Sequence, residues 1–213
     1  LGAAPPLTLV GASSSPPATH GALTLALPAG TQAGDFLLLC LYANSSATAA
    51  TLPSGWTTLD ELTSTQGFHV WWLTSTADAT LADVTAAFDP AALNSAALVA
   101  YRDPTSTPTV DAHSTPATLT GTMTANSIAF DAPGVTTSRV GERLAAFFVY
   151  DSGDGGSWSG TPAGMTKLVD TGSIALFERA APTAGDSGDV AATAAFSGSD
   201  GLYSTALVAA VAP

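Results

Sequence analysis

Cations are scarce in this chain of 213 residues. Lys and Arg together number five against 17 Asp and Glu, which gives a formal net charge of −12 at pH 7. A surface that binds nucleic acid needs clustered cations to displace counterions from phosphate, and anionic lipid attracts the same clusters. We therefore expect no nucleic acid and no membrane among the partners. We expect the negative charge to maintain solubility and to prevent self-association.

Cysteine and long apolar runs are also nearly missing. Cys40 is the one cysteine, so no disulfide can form within the chain, and we expect it to be a buried small hydrophobe. No run reaches the length of about 18 apolar residues that a membrane-spanning helix needs. His20, His69 and His113 lie far apart without metal-ligand spacing, so we expect no metal and no cofactor.

Strand signals dominate what is present. Short apolar or alternating runs are separated by Gly, Pro, Asp and Ser. Residues 36–42 are continuously apolar, which is typical of a central strand covered on both faces. Residues 89–98 are rich in helix formers, but their counterpart 197–206 has turn chemistry, so we expect a loop or one helical turn there. The predicted strands are 7–10, 22–27, 35–43, 57–62, 68–74, 83–88, 96–102, 117–122, 127–131, 143–150, 166–170, 174–179, 189–196 and 203–211.

The sequence repeats itself at an offset of roughly 107 to 109 residues. A constant offset is the mark of a duplicated unit. The recurring segments are 28–39 with 133–146, 52–59 with 161–168, 86–88 with 194–196, and 96–100 with 205–209.

The strand spacing predicts the fold class. About seven short strands per repeat, spaced by about 8 to 12 residues, form the pattern of an all-β sandwich. We predict a jelly-roll-like antiparallel β-sandwich built from two degenerate repeats, about 1–105 and 106–213. We favour a single domain, 1–213, in which the repeats interleave. The alternative is two tandem sandwiches with a boundary near 103–116, a Pro/Thr-rich segment.

Tryptophans supply the candidate binding residues. Trp71 and Trp72 are adjacent in a strand pattern and must point to opposite faces. Trp158 follows Gly and Ser, and nothing close in sequence buries it. Exposed Trp offers a stacking surface for sugars or protein, so all three are candidates; the alternative is that a loop covers them. Trp56, matched by Met165, is predicted to be a structural plug at a repeated turn.

Two further motifs carry weaker chemistry. Asp151 and Asp154 form a candidate acidic binding loop, which lacks the ligand pattern of an EF-hand, so we expect a flexible hairpin tip there and no metal. Gly185-Asp-Ser-Gly188 matches the nucleophile motif of chymotrypsin-like serine proteases, and Asp111-Ala-His113 faintly resembles their histidine motif. The flanking residues depart from that pattern, and a triad needs its histidine within hydrogen-bond reach. We therefore predict no catalytic residue and no enzyme.

The repeated signature also supports a resemblance. Pro-x-Gly-x-x-x-Gly-Asp-x-Leu, then Pro-x-Gly-Trp-Thr, then Ala-Leu-Val-Ala-Tyr-Arg, resembles the duplicated β-sandwich modules of phage tail, fibre and capsid-surface proteins, and of extracellular proteins of high-GC bacteria. In the second repeat Glu142 replaces Asp, Met165 replaces Trp, and Ala-Val at 210–211 replaces Tyr-Arg. The positions that carry the match are Pro28, Gly34, Asp35, Pro53, Gly55, Trp56, 97–102 and Asp111.

The resemblance implies a non-enzymatic virion structural protein: a capsid decoration, a head fibre or a tail-associated adhesin module. It implies a place on the virion surface or outside the cell, with other virion proteins or copies of itself as partners, in a homo-oligomer such as a trimer. A host-surface glycan is a further candidate partner. The alternative function is a carbohydrate-binding module of a secreted bacterial protein, with Trp158 and one of Trp71 or Trp72 as stacking platforms.

Overall fold

The structure, a computed structural model, describes residues 7–44, 49–65, 67–80, 82–120, 123–124, 127–151, 156–181, 183–195 and 203–213. Regular structure in these ranges is β-strand, with no helix among them, and the predicted all-β antiparallel sandwich is confirmed. None of these residues forms a helix of the length and apolarity that would cross a membrane. The N-terminal half holds β1 (Thr8–Leu25), β2 (Phe36–Ala43), β3 (Ala49–Thr51), β4 (Thr57–Thr63), β5 (His69–Thr76) and β6 (Val84–Arg102).

The C-terminal half is divided into more and shorter strands. Where β6 is one continuous strand, two separate strands, β17 and β18, take the matching places. The strands are β7 (Thr109–His113), β8 (Thr118–Thr120), β9 (Met123–Thr124), β10 (Ser127–Ala132), β11 (Thr136–Thr137), β12 (Glu142–Tyr150), β13 (Ser157–Gly160), β14 (Thr166–Asp170), β15 (Ile174–Ala181), β16 (Gly185–Asp186), β17 (Val190–Ala195) and β18 (Tyr203–Ala212).

Each half has a main sheet and a covering layer. The main sheets have the strand orders β1-β6-β2-β5-β4 and β7-β18-β12-β15-β14, which are the same order when the strands are matched. In the first half, residues 22–25 of β1 and 84–87 of β6 pair with each other and cover the sheet, together with β3. In the second half, β10, β17 and β13 form this layer as a separate sheet. Each half is thus a jelly-roll-like sandwich.

The two main sheets pack face to face. A central hydrophobic cluster contains side chains of both, among them Leu38 and Val99 from the first half and Phe147 and Leu207 from the second. Because the covering layers close the other faces, both main sheets are buried on both sides. All eight residues of β2 are buried. The predicted central strand at 36–42 is therefore confirmed.

Pairing between strands stays within each half throughout the described ranges. The sheets are therefore not built by interleaving the repeats, and the pairing corresponds to one sandwich per half. The halves nevertheless share one central core. A single domain, 1–213, stays a prediction, with two tandem sandwiches as the alternative.

The strand register revises one of the matched segments. Leu39 pairs with Leu98 in the first half, and Ala146 pairs with Val208 in the second. If Leu39 matches Ala146, at the offset of 107 residues seen in the sequence, then Leu98 matches Val208 at an offset of 110. Matching 96–100 with 205–209 is therefore wrong by one residue, and one residue reverses the face of a strand. The duplication itself stays a prediction, and a common strand order is what it requires.

The segment 89–98 also differs from its prediction. β6 runs from Val84 to Arg102 without interruption, so the expected loop or helical turn is wrong. Residues 92–94 pair with 18–20 of β1, and 96–102 continue between β1 and β2. Partners that are distant in sequence override the local preference for helix.

Removing a large side chain from the central cluster tests this layering. We expect Phe147→Ala to lower the free energy of unfolding by about 3–5 kcal/mol, because Phe147 is fully buried between the main sheets. Val140→Ala is the control, since Val140 is 71% exposed and its loss should change stability by less than about 0.5 kcal/mol. Urea unfolding followed by circular dichroism measures both. Equal stability of the two variants would contradict a packed central layer.

Candidate functional site

Trp71 and Trp72 are buried, with 3% and 0% exposure. They point to opposite faces of the sheet, as predicted: Trp72 lies in the central cluster and Trp71 in the outer cluster of the first half. Phe88 of β6 packs on Trp71 with ring centroids 6.2 Å apart. The prediction of a stacking surface at these two residues is wrong, because the folded-back part of β6 covers one face and the second half covers the other.

Trp158 is buried as well, at 1% exposure. It lies in β13, and its indole packs between Phe130 and Phe148 with centroids 6.0 and 5.6 Å away. Its Nε1 donates a hydrogen bond to the Gly172 carbonyl oxygen at 3.2 Å. A Cβ at Gly160 would lie 2.7 Å from Thr193, so the glycine permits the close strand contact that holds the Trp in place. The predicted exposed platform is wrong, because pairing with β17 buries the segment.

The acidic loop is described only at its first residue. Asp151 is half-buried and accepts a hydrogen bond of 2.5 Å from the Tyr42 hydroxyl of the other half. Burial raises the pKa of Asp151, and the Tyr42 hydrogen bond partly offsets that shift. Asp151 therefore belongs to the joint between the halves. Asp154 lies outside the described residues, and within the described ranges no group of three or more His, Cys, Asp or Glu could hold a metal.

Ser187 and His113 have separate partners. The Ser187 hydroxyl accepts a hydrogen bond from the Val135 amide at 2.8 Å and donates to the Gly188 carbonyl at 3.0 Å. His113 Nδ1 lies 3.7 Å from a carboxylate oxygen of Asp60, in the other half. These contacts order a turn and the joint between the halves, and they do not bring the serine and the histidine together.

An ion pair between a buried carboxylate and a partly exposed guanidinium closes the first main sheet at one end. Asp35, 1% exposed, accepts hydrogen bonds of 2.7 Å from both Nε and Nη2 of Arg102. Its Oδ2 also accepts the Gln32 amide at 2.7 Å. In the second half Glu142 takes the place of Asp35 and accepts the Arg139 amide at 2.7 Å. The residue in register with Arg102 is there Ala212, so the guanidinium has no counterpart.

Asp111 lies near Glu142. Burial raises the pKa of Glu142, which is 1% exposed, and Asp111 contributes to raising it. The hydroxyl and amide of Ser138 donate to Asp111 at 2.7 and 2.8 Å and lower its pKa. The two shifts have opposite directions, so Glu142 holds a proton more tightly than Asp111 does. The burial of Glu142 leaves no room beside it for a substrate.

The exposed groove beside Trp56 is the site that sequence reasoning missed. It has a volume of about 450 Å³ and is lined by Trp56, Ser75, Asp78, Asp83 and neighbouring small residues. We call it the Trp56 groove. Trp56 was predicted to be a plug, and it does pack on the outer cluster of the first half, but it is only partly buried. Two aspartates close to each other at 78 and 83 were the signal available in the sequence.

Comparison with known proteins assigns no family and no function to the chain. A scan against protein-family models and searches of curated proteins and of solved structures found no match to the chain. The resemblance to phage modules stays a prediction, and function is inferred from the chain's own residues.

The raised pKa of Glu142 gives a pH test. An acid with a raised pKa in the folded protein costs stability as pH rises from the ordinary glutamate value of 4.5 through the raised one. We therefore expect Glu142→Gln to be more stable than the parent at pH 7 and about equal to it at pH 4. The control is Glu61→Gln, because the Glu61 side chain is 60% exposed. Thermal unfolding at both pH values measures the difference, and a Glu142→Gln protein less stable at pH 7 would contradict the assignment.

Proposed function

We propose that this chain is a rigid, non-enzymatic structural module on the surface of a larger assembly, of the capsid-decoration, head-fibre or tail-associated kind. The observation that supports this proposal most is that the candidate binding and catalytic residues serve the packing of the fold. The three buried tryptophans, Asp151 and Ser187 all make structural contacts inside or between the sandwiches. A body organised in this way presents shape and loops to a partner, without a described catalytic centre among the residues that the structure covers.

The surface favours polar contacts with neighbours. Val140 is the exposed large hydrophobic side chain of the described ranges. Obligate interfaces resemble a divided hydrophobic core, and no such face is formed by the residues described. Contacts made through loops and polar residues fit a module that is added to an already assembled particle.

The charge distribution fits a protein exposed to proteases. The chain has five Lys and Arg. Arg102 and Lys167 are held in ion pairs with Asp35 and Asp170 at 2.7 Å, and Arg143 pairs with Glu178. Trypsin-like enzymes therefore have few sites to cut, and these are held in folded structure. This supports the proposed place on a virion surface or outside the cell.

The carbohydrate-binding alternative has lost the platforms on which it rested. Trp71, Trp72 and Trp158 are at most 3% exposed, so no sugar can stack on them without unfolding.

Location on a particle tests the proposal directly. Particles purified from the source culture by density gradient are probed with an antibody against the chain, followed by gold labelling and electron microscopy. We expect the chain to sediment with the particles and the label to lie on their outer surface. Recovery of the chain only in the soluble fractions would overturn the proposal.

Tryptophan fluorescence tests the alternative. We expect polysaccharides to leave the emission of Trp71, Trp72 and Trp158 unchanged, and acrylamide to quench mainly Trp56, because only Trp56 is partly exposed. We expect Trp158→Ala to act on folding, lowering the free energy of unfolding by about 3–5 kcal/mol. Trp158→Phe is the matched control that keeps an aromatic ring. Glycan quenching that is lost in a folded Trp158→Phe protein would restore the carbohydrate-binding function.

A further inference from the structure

The Trp56 groove has a counterpart in the second half. Leu37 pairs with Ser75 across β2 and β5, and both line the Trp56 groove. Leu144 pairs with Arg179 across β12 and β15, and both line a groove of about 190 Å³. The two pairs occupy the same place in matched strands, so Ser75 and Arg179 are structural counterparts.

The two grooves differ in what fills them. In the second half, the Arg179 guanidinium donates a hydrogen bond of 2.7 Å to the Ser187 carbonyl oxygen. In the first half, the short Ser75 side chain donates to the Gly55 carbonyl at 3.0 Å. The first groove is therefore larger and lacks the cation that the second contains. The chain itself shows that a guanidinium can be accommodated in this place.

The lining of the Trp56 groove suits a cation. Asp78 and Asp83, both exposed, supply two carboxylates, and Trp56 supplies an indole beside them. A guanidinium pairs with carboxylates and stacks on aromatic faces, and it does both better than an ammonium. The net charge of −12 attracts cations and repels anionic ligands.

Hydrogen bonds hold the part of the groove wall formed by Ala77 and Asp78. Asp78 Oδ1 accepts hydrogen bonds from the amide and hydroxyl of Thr80 at 2.8 and 2.6 Å. The Ala77 backbone is bonded to Gly34 and Asp35 at 2.8 Å on both sides. A preformed site loses little entropy on binding, which favours recognition of a single side chain.

We propose that the Trp56 groove binds an arginine side chain presented by a partner protein. The guanidinium lies against Trp56 and pairs with Asp78 and Asp83, in the place that Arg179 occupies in the second half. The proposed function enters only in the assumption that the partner is a neighbouring protein in an assembly. Binding of arginine by the groove does not depend on that assumption. A negative peptide titration would therefore refute arginine binding alone, and a negative particle experiment would refute the proposed function alone.

The binding test follows the Trp indole N–H signals by ¹H–¹⁵N NMR during titration with acetyl-Gly-Arg-Gly-amide. We expect one of the four indole signals to shift, with an affinity on the order of millimolar. Trp56→Phe assigns that signal by removing it. The control peptide carries citrulline, which has the shape of arginine without its charge, and we expect it to leave the signal in place. Equal shifts with the citrulline peptide would overturn the proposal.

Two substitutions locate the site. Asp83→Asn should weaken binding about threefold to tenfold, because it removes one charge partner of the guanidinium. Ser75→Arg should abolish binding, because it fills the groove from the chain itself as Arg179 does in the second half. Ser75→Gln, uncharged and shorter, is its control and should retain binding; dispersed spectra verify that each variant is folded.

Several outcomes would refute the assignment. Unchanged binding in both Asp83→Asn and Ser75→Arg would place the peptide elsewhere on the acidic surface. A shift of the Trp56 signal with maltose but not with the arginine peptide would make the groove a saccharide site. Absence of any shift with the arginine peptide up to about 50 mM, well beyond a millimolar affinity, would leave the groove without the proposed ligand.

Discussion

The structure depends on two sheets that are each covered on both faces. A sheet in this position accepts polar residues on neither side, so its central strands must be apolar at every position. β2 and β12 meet this condition almost completely, with Cys40 and Phe147 among the side chains that meet in the middle. Some of the polar groups that remain inside pair across the halves: the Tyr42 hydroxyl with Asp151, and the Ser95 hydroxyl with Thr171 at 3.0 Å. These pairs join the halves where the central apolar layer ends.

Features with a short-range cause could be predicted from the sequence. The apolar run at 36–42 and the opposite faces of Trp71 and Trp72 follow from strand geometry alone, and both are confirmed. Features caused by distant partners could not. Trp158 is buried by residues from three other strands, and 89–98 is extended because β1 and β2 flank it. The strands that bury Trp158 and those that flank 89–98 lie outside a window of ten residues around each of these segments.

The groove was missed for a related reason. Aligning the repeats pairs Trp56 with Met165, which is correct in the structure because β4 and β14 carry the same bulge against β5 and β15. The same alignment does not pair Ser75 with Arg179, because β5 and β15 are related by an offset of 104 residues, shorter than that of the other matched segments. Loops of unequal length between matched strands shift the offset. The structural difference between the two grooves is therefore visible only when strands are matched by their pairing.

The scarcity of cations also changes how the halves neutralise their buried acids. Asp35 and Glu178, 1% and 4% exposed, each pair with an arginine. Glu142 is buried to the same degree at the matched position, where Ala212 replaces Arg102; burial raises its pKa, and the charge of Arg139 offsets that shift only in part. A raised pKa lets Glu142 keep its proton to a higher pH than an exposed glutamate does, which reduces the cost of burying the charge. The second half therefore buries an acid with a raised pKa where the first half buries an acid held in an ion pair, although both use the same strand order. An acidic chain with five Lys and Arg can place an arginine at only a few sites. The first half has Arg102 at the end of its main sheet, where the second half has Ala212. The second half has Arg179 in its groove, where the first half has Ser75.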